Sequence, residues 1–150
     1  MSLKPMTEIR AVEPVNTVVI AVDGSSSSEH AFNWAITNIL RDFHEIVLIH
    51  VRTLKTGPHC DGINDQLSQE SHDLVSNLGN QLKAMKYRYT GFCLIGDNSA
   101  ETFIEKCREL EASMIIVGRR GISGIEKIFG RSFGEYCLRN GSCPVAVVNC

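Results

Sequence analysis

The chain has 150 residues, with 15 Lys and Arg against 17 Asp and Glu for a net charge of −2, and it is 43% hydrophobic and 21% charged. A chain of this size and composition can bury enough surface to fold as one domain without disulfides or a structural metal. The near-neutral balance excludes a protein that coats DNA through a broad excess of Lys and Arg, although it leaves room for a local basic patch.

Residues 1–16 contain Pro5 and Pro14 and lack the apolar stretch of a secretory signal, so they read as a flexible tail before a domain over 17–150. No later segment reaches the roughly 18 apolar residues of a membrane span. The expectation is a cytoplasmic protein with neither membrane nor nucleic acid as a partner. The six cysteines, Cys60, Cys93, Cys107, Cys137, Cys143 and Cys150, are irregularly spaced without a C-x-x-C pair. They read as reduced thiols, not as a zinc site or a disulfide framework. Cys93 and Cys107 lie among apolar neighbours and read as core, and Cys150 is expected to be exposed and oxidisable.

Short apolar runs alternate with segments of helical period, the signature of β-α-β units around a parallel sheet. Strand one covers 17–22 and is apolar on both faces, as a strand covered by helices on each side must be. The turn Asp23-Gly24-Ser25 leads to Ser26-x-x-Glu29, a capping box, and to a helix with Ala31, Trp34, Ala35 and Ile39 inward. Strand two covers 46–51. Residues 52–66, with Gly57-Pro58 and Asp61-Gly62, read as a long loop of the kind that covers a site. The spacing of Leu67, Leu74, Val75, Leu78, Leu82 and Met85 predicts the second helix. Strand three spans 89–95, interrupted by Gly91, and Asn98-x-x-Glu101 caps a third helix with Phe103, Ile104, Cys107 and Leu110 inward. Strand four, 114–117, ends at Gly118. A last helix starts at the Ser132-x-x-Glu135 box, Asn140-Gly141 reads as its left-handed C-cap, and Val145 to Val148 form strand five.

In an open parallel sheet, ligands bind beyond the carboxyl ends of the strands, where the strand order reverses. The most informative segment there is Gly118-x-x-Gly121, then nine residues, then Arg131-Ser132, in which Arg119, Arg120, Lys127 and Arg131 face a single acid, Glu126. Glycines let amides approach phosphate oxygens, and the start of the following helix favours an anion. Other motifs fail. Residues 124–132 are one residue too long for a Walker A loop and carry Arg where its lysine belongs. Residues 61–65 lack the EF-hand spacing, and His59-Cys60-Asp61 reads as an exposed polar loop. No nucleophile with a positioned base emerges, so a dedicated enzyme is not the expected class.

Taken in order, Val22-Asp23-Gly24-Ser25, His50-Val51, Gly96-Asp97 with Ala100-Glu101, and Cys143-Pro144-Val145 resemble the universal stress protein family, over residues 17–148. The resemblance implies a three-layer α/β/α fold with a five-stranded parallel sheet ordered 3-2-1-4-5, Rossmann-like and similar to the adenine nucleotide alpha hydrolases. The nucleotide-binding branch carries G-x2-G-x9-G-[S/T]. Gly118, Gly121 and Ser132 match it, Arg131 stands where the third glycine belongs, and Gly130 lies one position early. If that position needs a positive φ, Arg131 costs about 1 kcal/mol, or roughly tenfold in affinity. Its guanidinium could offset this by pairing with phosphate.

The resemblance further implies ATP with Mg2+ or Mn2+, bound where strands one and four diverge. Asp23 would contact the ribose or the adenine edge, and the main chain at Val51 would read the adenine. Gly118, Arg119, Gly121, Ser132 and Phe133 would surround the phosphates, with Ala21, Val117 and Arg131 also among the cofactor-binding positions. Plainer roles stand beside these: Asp23 as an Asx turn and Ser132 as an N-cap. The activity implied is a signalling or stress-response module with at most slow ATP hydrolysis. The alternative is a dimeric interaction protein of the same fold that does not bind nucleotide. Either would form a homodimer through the apolar edge Val145–Val148. A redox role for Cys143 or Cys150 would require a lowered thiol pKa.

Overall fold

A computed structural model of the chain describes residues 16–119 and 132–149. The chain alternates β1 (Thr17–Ala21), α1 (Ser26–Asn38), β2 (Glu45–Arg52), α2 (Cys60–Ala84), β3 (Tyr89–Ile95), α3 (Ser99–Glu109), β4 (Met114–Gly118), α4 (Phe133–Asn140) and β5 (Val145–Val148). All pairings are parallel, and the strand order is β3-β2-β1-β4-β5. The order reverses between β1 and β4, which opens a crevice at the carboxyl end of the sheet.

Alternation along each strand divides the core into two layers. Val18, Ile20, Ile46, Leu48 and Ile116 pack on one face against Ala31, Phe32 and Ala35 of α1 and Val75, Leu78 and Leu82 of α2. Val19, Ala21, Val47, Ile49, Val51, Ile115 and Val117 pack on the other against Phe103, Ile104 and Cys107 of α3 and Phe133 and Cys137 of α4. Two apolar faces on one sheet need helices on both sides, and this is the three-layer α/β/α arrangement that the apolar runs imply.

Several elements differ from the sequence expectation. The second helix starts at Cys60, so the connection after β2 shrinks to residues 53–59. The first two turns of α2 are largely exposed, and without a buried stripe they leave no apolar period to detect. Backbone geometry starts the helix instead, through Gly57 at φ 121° and His59 at φ 67°. Asn64 then folds the connection back, its side chain accepting from Lys55 N and donating to Lys55 O, both at 2.9 Å. At α1 the cap is Ser25, one residue before the expected box, and its hydroxyl accepts from Ser28 N. Gly141 is extended at φ −68°, ψ 139°, not left-handed. Its glycine is needed for close approach: a Cβ there would lie 2.7 Å from the Cys137 carbonyl oxygen. Gly91 does not break β3. It leaves room for α2, since Val75 Cγ1 lies 2.3 Å from where its Cβ would be. The caps expected at Asn98 and Ser132 are present, accepting from Glu101 N and Glu135 N at 3.1 and 3.2 Å.

Candidate functional site at the carboxyl end of the sheet

The β1–α1 turn is held by a short chain of polar contacts. Asp23 Oδ1 accepts from Ser25 N at 2.8 Å, an Asx turn that Gly24 completes at φ 77°. Ser25 caps the helix, and the buried Ser28 hydroxyl accepts from Asp23 N at 3.1 Å and donates to Ala21 O at 3.5 Å. The serine run after strand one therefore satisfies the backbone groups of the turn and fixes the Asp23 carboxylate at the end of β1.

Val51 lies beside it. Ile49 O accepts from Val22 N on the β1 side at 2.9 Å, whereas Arg52 O accepts from Gly96 N on the β3 side at 3.1 Å. Peptide edges alternate along a strand, so the N–H and C=O of Val51 turn toward β1. The β1 register ends at Ala21 opposite Ile49, so this edge faces the crevice past the last registered pair.

Asp23 and Val51 line a cleft of about 470 Å³ together with Gly24, His50, Arg52, Thr53, Lys55 and Ser99, and α2 closes it through Leu67, Glu70, Ser71 and Leu74. Sequence reasoning placed Asp23 and Val51 here but missed Arg52, Lys55 and the α2 wall. The signal for Arg52 was the alternation of β2, which puts it on the α2-facing side with His50. Both carry a buried nitrogen, His50 Nδ1 and Arg52 Nη1, with no hydrogen-bond partner among the described residues. Burial holds the His50 imidazole below its ordinary value of 6.5; nearby Asp23 opposes that shift and Arg52 adds to it.

The remaining expected positions among the described residues do not line this cleft. Ala21 and Val117 are buried in the sheet, and Phe133 sits in the core with its ring centroid 5.2 Å from that of Phe103. Gly118 packs against α1, where a Cβ would stand 2.6 Å from Ser27 O, so close helix–strand packing alone requires glycine. Arg119 N donates to Val148 O at 2.9 Å and so extends the β4–β5 ladder. Ser132 caps α4, leaving the Phe133 and Gly134 amides without intrahelical acceptors at a helix start. Gly121 and Arg131 lie outside the described residues, as does Cys150.

Among the described residues no group of three or more His, Cys, Asp or Glu could hold a metal ion. No described helix is long and apolar enough to cross a membrane. The described cysteines are free thiols; burial pushes Cys137 up to about 12 and also raises Cys93, Cys107 and Cys143, which works against a reactive thiolate at these positions.

A sheet ordered 3-2-1-4-5, with an acidic turn after strand one and a cleft beyond the carboxyl ends of β1 and β2, defines a doubly wound α/β class of protein. Within it the chain belongs to the universal stress protein family, whose model matches residues 14–149. It is 30% identical over 152 residues to universal stress protein PHOS32 of Arabidopsis thaliana, covering 86% of this chain and 62% of that one, so it spans under two thirds of that relative. A universal stress protein structure from Burkholderia pseudomallei superposes with a TM-score of 0.74 at 20% identity, covering 89% of this chain and 96% of that chain. An Arabidopsis thaliana family structure with AMP bound gives 0.69 at 18% identity, covering 89% and 91%. A universal stress protein in complex with cAMP gives 0.65 at 19% identity, covering 89% and 97%.

Proposed function

We propose that this chain is a nucleotide-binding universal stress protein, taking ATP with Mg2+ or Mn2+ and acting in the cytoplasm as a signalling or stress-response module with at most slow ATP hydrolysis. The observation that carries the reading is the Val51 peptide edge, which faces the crevice beside the fixed Asp23 carboxylate. One donor and one acceptor side by side suit the edge of an adenine, and the Asp23 carboxylate in the same cleft suits ribose hydroxyls. The Phe133 and Gly134 amides at the α4 start suit phosphate oxygens, and Arg119, Gly121, Arg131 and Ser132 are the further positions that the family motif assigns to them. Family structures with AMP and with cAMP support the ligand class.

A second reading has its own support. Gly118, Arg119 and Phe133 each have structural work, in helix packing, in the β4–β5 ladder and in the core. Such positions would persist in a dimeric interaction protein that binds no nucleotide. Both readings use β5, an edge strand, for a homodimer through Val145–Val148.

Calorimetric titration of nucleotide-free protein with ATP and Mg2+ separates the two. Micromolar affinity, lost on Gly121→Trp, supports nucleotide binding. No heat and no thermal stabilisation at millimolar ATP supports the interaction protein.

A further inference from the structure

The β2 wall of the cleft, which faces α2, carries a guanidinium and an ammonium that the nucleotide reading does not use, with an imidazole beside them. Arg52 Nη1 is buried without an acceptor, and no ion pair of its guanidinium occurs among the described residues. Two residues earlier on the same strand face, His50 Nδ1 is buried without a partner as well. Lys55 lines the same wall, its backbone pinned at both N and O by the Asn64 side chain. The two acids of the cleft are engaged with other groups: Asp23 Oδ1 accepts from Ser25 N, and Glu70 Oε1 accepts from Gln66 Nε2 at 2.9 Å. A guanidinium N–H withdrawn from water without an acceptor costs free energy that an oxyanion supplying the acceptor would recover.

We propose that Arg52, with His50 and Lys55 beside it, forms an anion subsite on the β2 wall, opposite α2, that takes a phosphate group. A tetrahedral phosphate offers oxygens to the planar guanidinium fork and to an ammonium at once, whereas a carboxylate presents only two oxygens in one plane. The subsite is distinct from the phosphate positions of the preceding section, since none of Gly118, Arg119, Ser132 and Phe133 lines the cleft. Two sources share this chemistry: inorganic phosphate, and a phosphate on the ribose of a nucleotide whose base sits at Val51. Only the second rests on the nucleotide reading.

The test is calorimetry of the full chain with adenosine, adenosine 3′-monophosphate and inorganic phosphate, on the wild type, Arg52→Gln and Arg52→Lys, with circular dichroism to check folding. The subsite predicts that Arg52→Gln weakens at least one phosphate-bearing ligand by about tenfold or more and leaves adenosine unchanged, and that Arg52→Lys recovers part of the loss. Inorganic phosphate binding alone, dependent on Arg52, supports the subsite while adenosine failure counts against the nucleotide reading. A 3′-phosphate gain with no inorganic phosphate binding assigns the subsite to nucleotides. Unchanged phosphate affinity in Arg52→Gln, or an equal loss for adenosine, overturns the subsite and leaves nucleotide binding standing. A measurement on the wild type needs no variant: phosphate titration should move the His50 ring resonances and leave those of exposed His72 in place. Unmoved His50 resonances at saturating ligand overturn the proposal.

Discussion

The Asp23 carboxylate accepts a hydrogen bond from the Ser25 amide at 2.8 Å, so one side chain both shapes the β1–α1 turn and faces the crevice. The two roles can be separated. Asp23→Asn keeps an oxygen for the Ser25 amide and removes the charge, so unfolding free energy should stay within about 0.5 kcal/mol of wild type. ATP affinity should fall by about tenfold. Asp23→Ala removes the acceptor too and should lower stability by about 1 kcal/mol. Urea unfolding and calorimetry on both variants check this, and equal affinity in wild type and Asp23→Asn would remove the carboxylate from the site.

Gly118→Ala tests close packing between β4 and α1. The added methyl would meet Ser27 O at 2.6 Å, a backbone atom that cannot rotate away. Overpacking of this kind costs about 1–3 kcal/mol. The urea midpoint should fall accordingly with the denaturant slope unchanged; a midpoint equal to wild type would mean that α1 shifts freely.

His50 gives stability a pH dependence of known sign. Its folded value lies below the ordinary 6.5, so the unfolded chain binds this proton more tightly. The contribution is therefore complete above pH 6.5 and is lost as pH falls from there through the folded value. Asp23, which opposes the shift, and Arg52, which adds to it, are the charged groups acting on the ring. Unfolding free energy measured from pH 7.5 down to pH 5 should fall more steeply in wild type than in His50→Gln. Parallel curves would contradict the burial of this imidazole.

The β5 edge has a register that makes its variant specific. Ile115 N donates to Pro144 O and Arg119 N to Val148 O, so alternate residues of β5 face β4 and the Val145 and Val147 edges face outward. A proline with its missing N–H on the outward side is tolerated in an edge strand but cannot pair with a second sheet. Sedimentation should find a dimer in wild type and a monomer in Val147→Pro, with the fold retained by circular dichroism. A Val147→Pro dimer would place the interface elsewhere.

The sheet was readable because its strands are continuous apolar runs, and Asn98 and Ser132 were readable as caps from their place three residues before glutamate, whereas the same spacing at Ser26 fell one residue late because the serine run also offers Ser25. The start of α2 was not, since Gly57, His59 and Asn64 set it through backbone geometry and polar contacts that leave no period. At the candidate site, the strand ends pointed to the loops after β1 and β2, and the family resemblance named Asp23 and Val51 within them. Arg52 depended on knowing which face of β2 meets α2, and the apolar pattern of a doubly covered strand gives both faces equal weight. Gly118 was assigned to phosphate approach from its motif, but its contact with Ser27 depends on how closely α1 packs, which spacing does not record.

The crevice beside Asp23 and Val51 is proposed to take an adenine nucleotide, with its phosphates at the α4 start. Calorimetric titration of nucleotide-free protein with ATP and Mg2+, with AMP run in parallel, tests it most directly. Micromolar ATP affinity that weakens for AMP is the expected result. Absence of heat and of thermal stabilisation at millimolar ATP would contradict it.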